Sequence, residues 1–384
     1  MPPIWVFGLL AAAFLPLTAH AQAQSGRPDI GISDYQARLA QYQAARNSYD
    51  AQAASYWDAV AEKRRGRNAK RRNHEPIGLE DYVLSQPPVY TGPPRPIDPR
   101  APAPPAPERP DIPLVADFLQ NAVEQFGFVP QRPASDLDFK RAYAKAALAA
   151  GLTRDQVVGV YVFETGGNGT YDSQAGLVPY RPGARAISPA IGYNQLLSTN
   201  SVSLLAEHGG RIAAALRQKA NSLGGTPKLV MERKIDALKR MIAFSRSVPD
   251  RWSEHDRLAK TTAGGFGIHA AVLDIDIGPL LQVQKLTDSV HFARSKGFSA
   301  PLTAAELEIM NLTGDGNGFD IISMPQDLRT RVPTANFFQQ QGYERNPVAR
   351  RTGVVANLVA DIENKMQRGT QAQGARDLAA SFLY

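Results

Sequence analysis

Residues 153–167 read TRDQVVGVYVFETGG, and this stretch decides how the rest of the chain is read. Thr153 supplies an N-cap hydroxyl, the spacing predicts a helix from Arg154 to Glu164, and Gly166-Gly167 end it. Val157, Val160, Tyr161 and Glu164 share one face, at offsets of 3, 4 and 7. Glu164 therefore lies on the stripe that packs inward and in the last turn, where the helix macrodipole is negative. Burial and the dipole both disfavour its carboxylate and predict a raised pKa. A carboxyl that keeps its proton near neutral pH is what general-acid catalysis requires. A glutamate at a helix end also serves as an exposed residue or an arginine partner, so the assignment needs support from elsewhere in the chain.

Helical spacing continues on both sides. Val115, Leu119, Ala122 and Phe126 follow it, as do Phe139, Tyr143, Ala146 and Ala150, stopped by Gly151. Further helices are expected over 200–220, 228–246, 278–296, 303–312 and 352–367. Few segments alternate as strands do. The expectation is an all-α domain over residues 111–384, large enough for a sizeable core.

Downstream of Glu164, residues 186–196 read AISPAIGYNQL. With Glu164-Thr165-Gly166 they resemble two motifs of the lytic transglycosylases of the lysozyme-like superfamily. The first motif is a catalytic Glu followed by Ser or Thr and a turn. The second has the order Ala-x-Ser, then Gly-Ala-x-Gly-Leu-Met-Gln-Ile/Leu. Ala190, Gly192, Gln195 and Leu196 keep its register, while Tyr193-Asn194 replaces Leu-Met. The stretch from Gly176 to Arg185 reads as an insertion. The family's third motif, a helix ending Ala-Tyr-Asn-x-Gly, has its nearest counterpart in Met310-Asn311-Leu312-Thr313-Gly314, which keeps the Asn and Gly but lacks the Tyr.

The resemblance implies a lysozyme-like catalytic domain that cleaves the β-1,4 bond between N-acetylmuramic acid and N-acetylglucosamine of peptidoglycan glycan strands. Glu164 would protonate the glycosidic oxygen and then act as base on the muramoyl 6-hydroxyl, closing a 1,6-anhydro ring. Gln195, Tyr193, Asn194, Ser188 and Asn311 would bind substrate, with Ser188 shaping its loop. Tyr171 and Tyr180 would stack on sugars or pack within their loops. Asp172 is the only acid in the loop after Glu164, and a muramidase-type hydrolase would need such a second carboxylate. A non-catalytic peptidoglycan-binding or envelope scaffold protein with the same fold is the alternative. Neither a cofactor nor a metal is expected.

Toward the N-terminus, Ile4 to Leu17 is a 14-residue apolar run followed by Ala19-His20-Ala21, a small-x-small pattern. Residues 1–21 are expected to be a cleaved signal peptide, or else an uncleaved tether, and either places the chain in the periplasm or outside the cell. Residues 22–86 form a helical, basic arm. Ser33 and Asp34 cap a helix expected to run from 33 to 66, where Gly66 stops it. Tyr35, Tyr42, Tyr49 and Tyr56 recur every seven residues, a seam for a coiled coil or envelope partner, or for the protein's own surface. Seven of the ten residues from Lys63 to Arg72 are basic, a run that either meets anionic lipid or wall polymer or is solvated. Residues 87–110 hold eleven prolines and read as a polyproline spacer marking a domain boundary.

The composition agrees with this order. The chain has 384 residues, 21% charged and 43% hydrophobic, with a formal charge of +7 and no cysteine. Disulfide frameworks, cysteine nucleophiles and thiolate zinc sites are excluded. The positive balance suits an anionic partner, and export directs that to the envelope and away from nucleic acid. Asp315 to Asp320 (DGNGFD) is read as a Gly-rich turn, because it lacks the Gly and Glu positions of a calcium loop. His269, Asp274 and Asp276 have the elements of a hydrolase triad, but no nucleophile elbow accompanies them.

Overall fold

The structure, a computed structural model, describes residues 31–100, 112–177 and 184–383. Its helices are α1 (Ile32–Asn73), α2 (Val115–Phe126), α3 (Asp136–Ala149), α4 (Arg154–Thr165), α5 (Ser198–Asn221), α6 (Gly225–Ser245), α7 (Trp252–Thr261), α8 (Ala263–His269), α9 (Gly278–Ser295), α10 (Ala304–Thr313), α11 (Asp315–Ile322), α12 (Gln326–Arg329), α13 (Gln340–Arg345), α14 (Pro347–Thr352), α15 (Val355–Gly369) and α16 (Gln373–Ala380). Among the described residues there is no strand, only isolated bridges such as Gln174 to Ile191 and Ile191 to Leu196. The fold is all-α. No single described helix is long and apolar enough to cross a membrane. The segment expected to be a signal peptide and Tyr180 lie outside the described residues.

The chain divides into two compact units. Of the described residues, 112–323 and 359–383 form the first, and 31–100 and 324–358 the second. This differs from the expected single domain over 111–384, because residues 324–358 fold against the N-terminal arm.

In the first unit α5 packs along α6 and α7, and α2 against α8. Phe118, Leu205, Leu238, Met241, Ile268 and Leu281 are buried at the centre. Sequence reading passes over α7, α8, α11 and α16. Two of these, α8 (AGGFGIH) and α11 (DGNGFDII), carry the glycines that normally mark turns. Here the glycines permit close helix contact. A Cβ on Gly318 would lie 2.4 Å from the Met310 Cα, and one on Gly265 2.2 Å from the Leu258 carbonyl oxygen. The DGNGFD stretch is therefore helical, not a turn.

In the second unit α1 continues seven residues past Gly66. The extra turns are held by their own basic side chains. Arg67 is fully buried and donates from Nη1 to the Asp81 carbonyl and from Nη2 to that of Asn336, both at 3.0 Å. Its guanidinium also lies 4.6 Å from the Tyr82 ring centre and 5.4 Å from that of Phe337. Lys63 donates to the Glu80 carbonyl at 2.6 Å, Lys70 to Asp81 Oδ2 at 2.7 Å, and Arg64 to the Phe338 carbonyl. Much of the basic run thus fastens the unit together. Arg65 and Arg72 stay exposed.

The tyrosine seam is occupied from within the chain as well. Tyr56 donates to the Ser85 carbonyl at 3.1 Å. The Tyr90 ring meets Tyr49 at 5.5 Å and Tyr42 at 6.3 Å, edge-on to both. The segment from Ser85 to Tyr90 therefore runs back along α1, opposite to its direction. Seven helical residues advance about 10.5 Å. A single ring, Tyr90, thus fits between two tyrosines one heptad apart.

Candidate functional site

The site is built where α4 and α10 cross. Each helix starts with a reciprocal cap. Thr153 Oγ1 accepts from the Gln156 N–H at 3.2 Å and Gln156 Oε1 from the Thr153 N–H at 2.9 Å, while Thr303 and Glu306 repeat the arrangement on α10. Gln156 Nε2 donates across to the Leu302 carbonyl at 2.7 Å. One turn on, Gly159 lets the helices touch, since a Cβ there would lie 2.4 Å from the Ala304 Cβ. Glu164 and Asn311 meet beyond that point. The contacts follow one sense along both helices, so the two run parallel through the crossing.

Glu164 closes α4 and is half-buried. Asn311 Nδ2 donates to its Oε1 at 3.0 Å. Loss of hydration among the surrounding protein atoms pushes its pKa up to about 7, against the opposing pull of Lys365 and of hydrogen bonds from Glu308 and Asn311. The α4 terminus that carries it is well anchored. Gly166 takes the left-handed conformation at φ 68°, Thr165 Oγ1 donates to the Tyr161 carbonyl at 2.6 Å, and Tyr161 Oη donates to that of Gly169 at 2.7 Å. Lys365, from α15, places its ammonium 4.0 Å from the Phe163 ring centre.

Sequence reading missed Glu308. It lies three residues before Asn311 and is fully buried. Its pKa is raised well above the carboxylate range, first by burial and then by the charge of Glu164 and a hydrogen bond to it. Its signal in AAELEIMNLT is an acid flanked by Leu307, Ile309 and Met310.

The motif after residue 186 plays a different part from the one expected. Tyr193 and Asn194 do not face a groove. Tyr193 is fully buried, donates to Asp136 Oδ1 at 2.8 Å, and meets Tyr161 at a ring distance of 5.0 Å. Asn194 accepts from Tyr143 Oη at 2.7 Å and donates to the Gln282 carbonyl at 2.9 Å. Both are core residues: Tyr193 packs on α4 through Tyr161, and Asn194 ties α3 to α9. Gln195 takes a left-handed φ of 44° and donates to the Gly192 carbonyl at 2.8 Å and that of Ser173 at 3.0 Å. Ser188 accepts from the Ala190 N–H at 3.1 Å within its loop. Tyr171 stacks on Phe139 of α3 at 5.3 Å, and its hydroxyl accepts from Arg132 Nε at 2.7 Å, so it packs against α3 and the segment before it. Asp172 is held by Arg132 and by Thr170 Oγ1 at 2.7 Å. Among the described residues expected at the site, Asn311 is the one shown to hydrogen-bond Glu164.

Other clusters are structural. His269 is fully buried, with Nδ1 2.8 Å from Ser201 Oγ and Nε2 3.0 Å from the Pro189 carbonyl; burial lowers its pKa to about 4. Its Nε2–H serves a backbone carbonyl, and Asp274 and Asp276 instead pair with Lys234, so the three residues form no triad. Glu207, His208 and Asp288 each bring one ligand atom within 4.8 Å of the others. A metal on His208 Nε2 would need a proton on Nδ1, where Arg211 already donates. That donor set does not fit a metal. A groove of about 520 Å³ lies between α5 and α6, lined by Gly210, Ala213, Ala214, Arg217, Lys239, Ile242, Ala243 and Arg246. No residue of the Glu164 group borders it.

No protein-family model, curated protein or solved structure matches the chain.

Proposed function

We propose that the first unit is a lysozyme-like domain and that the protein is an exported lytic transglycosylase acting on peptidoglycan. Glu164 donates its proton to the glycosidic oxygen between N-acetylmuramic acid and N-acetylglucosamine. The same carboxylate then takes the proton of the muramoyl 6-hydroxyl, whose oxygen closes on C1 to give the 1,6-anhydro sugar. The observation that carries this reading is the state of Glu164: half-buried, oriented by Asn311, and with a proton affinity near neutral pH. Such a group gives up and regains a proton at little cost.

A two-carboxylate hydrolase is the weaker option. Those enzymes hold their carboxyls roughly 5–9.5 Å apart, leaving room for an attacking water or a covalent intermediate. Glu308 is fully buried beside Glu164, so it fits neither role, and Asp172 is engaged by Arg132 and Thr170. One carboxyl suffices when the nucleophile belongs to the substrate.

A second reading, a non-catalytic peptidoglycan-binding protein of the envelope, draws on the burial of Tyr193 and Asn194. Incubation with purified sacculi separates the two. Release of soluble muropeptides by the wild type and its loss in Glu164→Gln support catalysis. Co-sedimentation without solubilisation, equal in both proteins, supports the binding protein. Envelope location is part of both readings, and processing after Ala21 in cell fractions tests it.

A further inference from the structure

We infer that Glu308 is a positioning residue that keeps a proton at the Glu164 site: a permanently un-ionised acid that donates its O–H to Glu164. Two carboxyl groups form a hydrogen bond only when one of them carries a proton. The structure tells which one. Asn311 Nδ2 donates to Glu164 at 3.0 Å, so Glu164 is already an acceptor, and it keeps partial exposure. Glu308 keeps no such exposure, and although Asn311 also lowers its proton affinity, no bond from it to Glu308 is well aligned. It is fully buried, and no well-aligned N–H or O–H donor reaches either of its oxygens among the described residues. An ionised carboxylate without donors in such a place is strongly disfavoured, whereas the acid form satisfies its O–H by donating to Glu164.

The charged and titratable neighbours agree. Glu164 faces Glu308 from α4, Lys365 from α15 and Tyr143 from α3. α9 and α11 also pack on α10; Asp288 of α9 is 2.9 Å from His208, Asp315 of α11 accepts from Ser289 at 2.7 Å, and Asp320 of α11 is buried. Two carboxyls, one proton and the Lys365 ammonium make a group with no net charge, suited to low solvation. When Glu164 has given up its proton, Glu308 stabilises the resulting carboxylate by its O–H and holds it in place. That use in glycan cleavage rests on the proposed function, whereas the location of the proton does not.

The test is infrared difference spectroscopy of the full-length protein at pH 8, read at the carbonyl stretch of un-ionised carboxylic acids. Wild type and Glu164→Gln should both show the band. Glu308→Gln should lose it, as should Glu308→Met, a second variant that replaces a buried acid by an apolar side chain of similar size. Absence of the band from the wild type, or its persistence in a folded Glu308 variant, overturns the assignment. Where sacculi are cleaved, Glu308→Met, which removes the O–H that stabilises the Glu164 carboxylate, should move the alkaline limb of the pH–rate profile to higher pH. An unmoved limb overturns the positioning role. A wild type that releases nothing from sacculi contradicts the proposed function and leaves the spectroscopic result standing by itself.

Discussion

The chemistry of the first unit is concentrated on a few side chains whose proton affinities have moved in opposite directions. Glu164 is raised from 4.5 to about 7, and His269 is lowered from 6.5 to about 4. A raised acid gives stability that is complete below its unfolded pKa and is lost as pH climbs through its folded one. The Glu164 contribution therefore fades between about pH 4.5 and 7. A lowered histidine acts oppositely. Its neutral form is favoured by the fold, so stability is lost as pH falls from about 6.5 toward 4. The two oppose each other across one window. Replacing His269 with Gln, which keeps a polar contact to Ser201 or Pro189, should leave the fall on raising pH and remove most of the fall on lowering it. Thermal melts from pH 4 to 8 check this, and an unchanged acid limb would show that His269 is not its source. In the second unit, Arg67→Met should cost about 2–4 kcal/mol, because the carbonyls of Asp81 and Asn336 lose buried donors and the Tyr82 and Phe337 rings lose their cation. Hydrogen exchange in peptides from 79–85 and 333–338 measures it, and protection equal to the wild type would refute it.

At the scale of the element, the site depends on how closely α4 and α10 approach. Gly159→Ala would force a methyl into the Ala304 Cβ, already 2.4 Å away. The expected result is a loss of about 1–3 kcal/mol and, as the helices part, a weaker Glu164–Asn311 bond and a lower cleavage rate. A crystal structure or activity assay of that variant showing the crossing undisturbed would contradict this. The sequence reading succeeded where one helix carried the whole signal: the cap at Thr153, the stop at Gly166 and the inward stripe ending in Glu164 all belong to α4. It failed for α8 and α11, whose glycines are contact residues, and their partners on α7 and α10 are not visible in a local window. It also failed at Tyr193 and Asn194, where polar side chains suggested a groove. Their partners, Asp136, Tyr143 and Gln282, are remote in sequence and make them a buried network. Glu308 was overlooked because an acid in a short helix usually faces solvent, and its burial is set by α4 and α15.

At the scale of the whole molecule, the chain is organised as two units that are each discontinuous in sequence. Residues 324–358 depend on the arm for their core, through Arg67 to Asn336, Tyr82 against Phe337 and Trp57 against Tyr343. Deleting residues 22–100 should therefore strip exchange protection from 324–358 while α5, α6 and α8 keep theirs; equal protection in both proteins would contradict this dependence. The composition pointed to a separate arm, a spacer and a catalytic domain, and periodicity does show the arm and the proline-rich segment. The return of a distant segment onto the arm is a tertiary fact that no local pattern carries. The central claim, that Glu164 breaks glycosidic bonds with ring closure by the substrate's own hydroxyl, is tested most directly by mass analysis of the fragments released from purified sacculi. The account predicts muropeptides one water lighter than hydrolytic products from the wild type and none from Glu164→Gln. Products with the mass of hydrolysed ends, or the same release from both proteins, would contradict it.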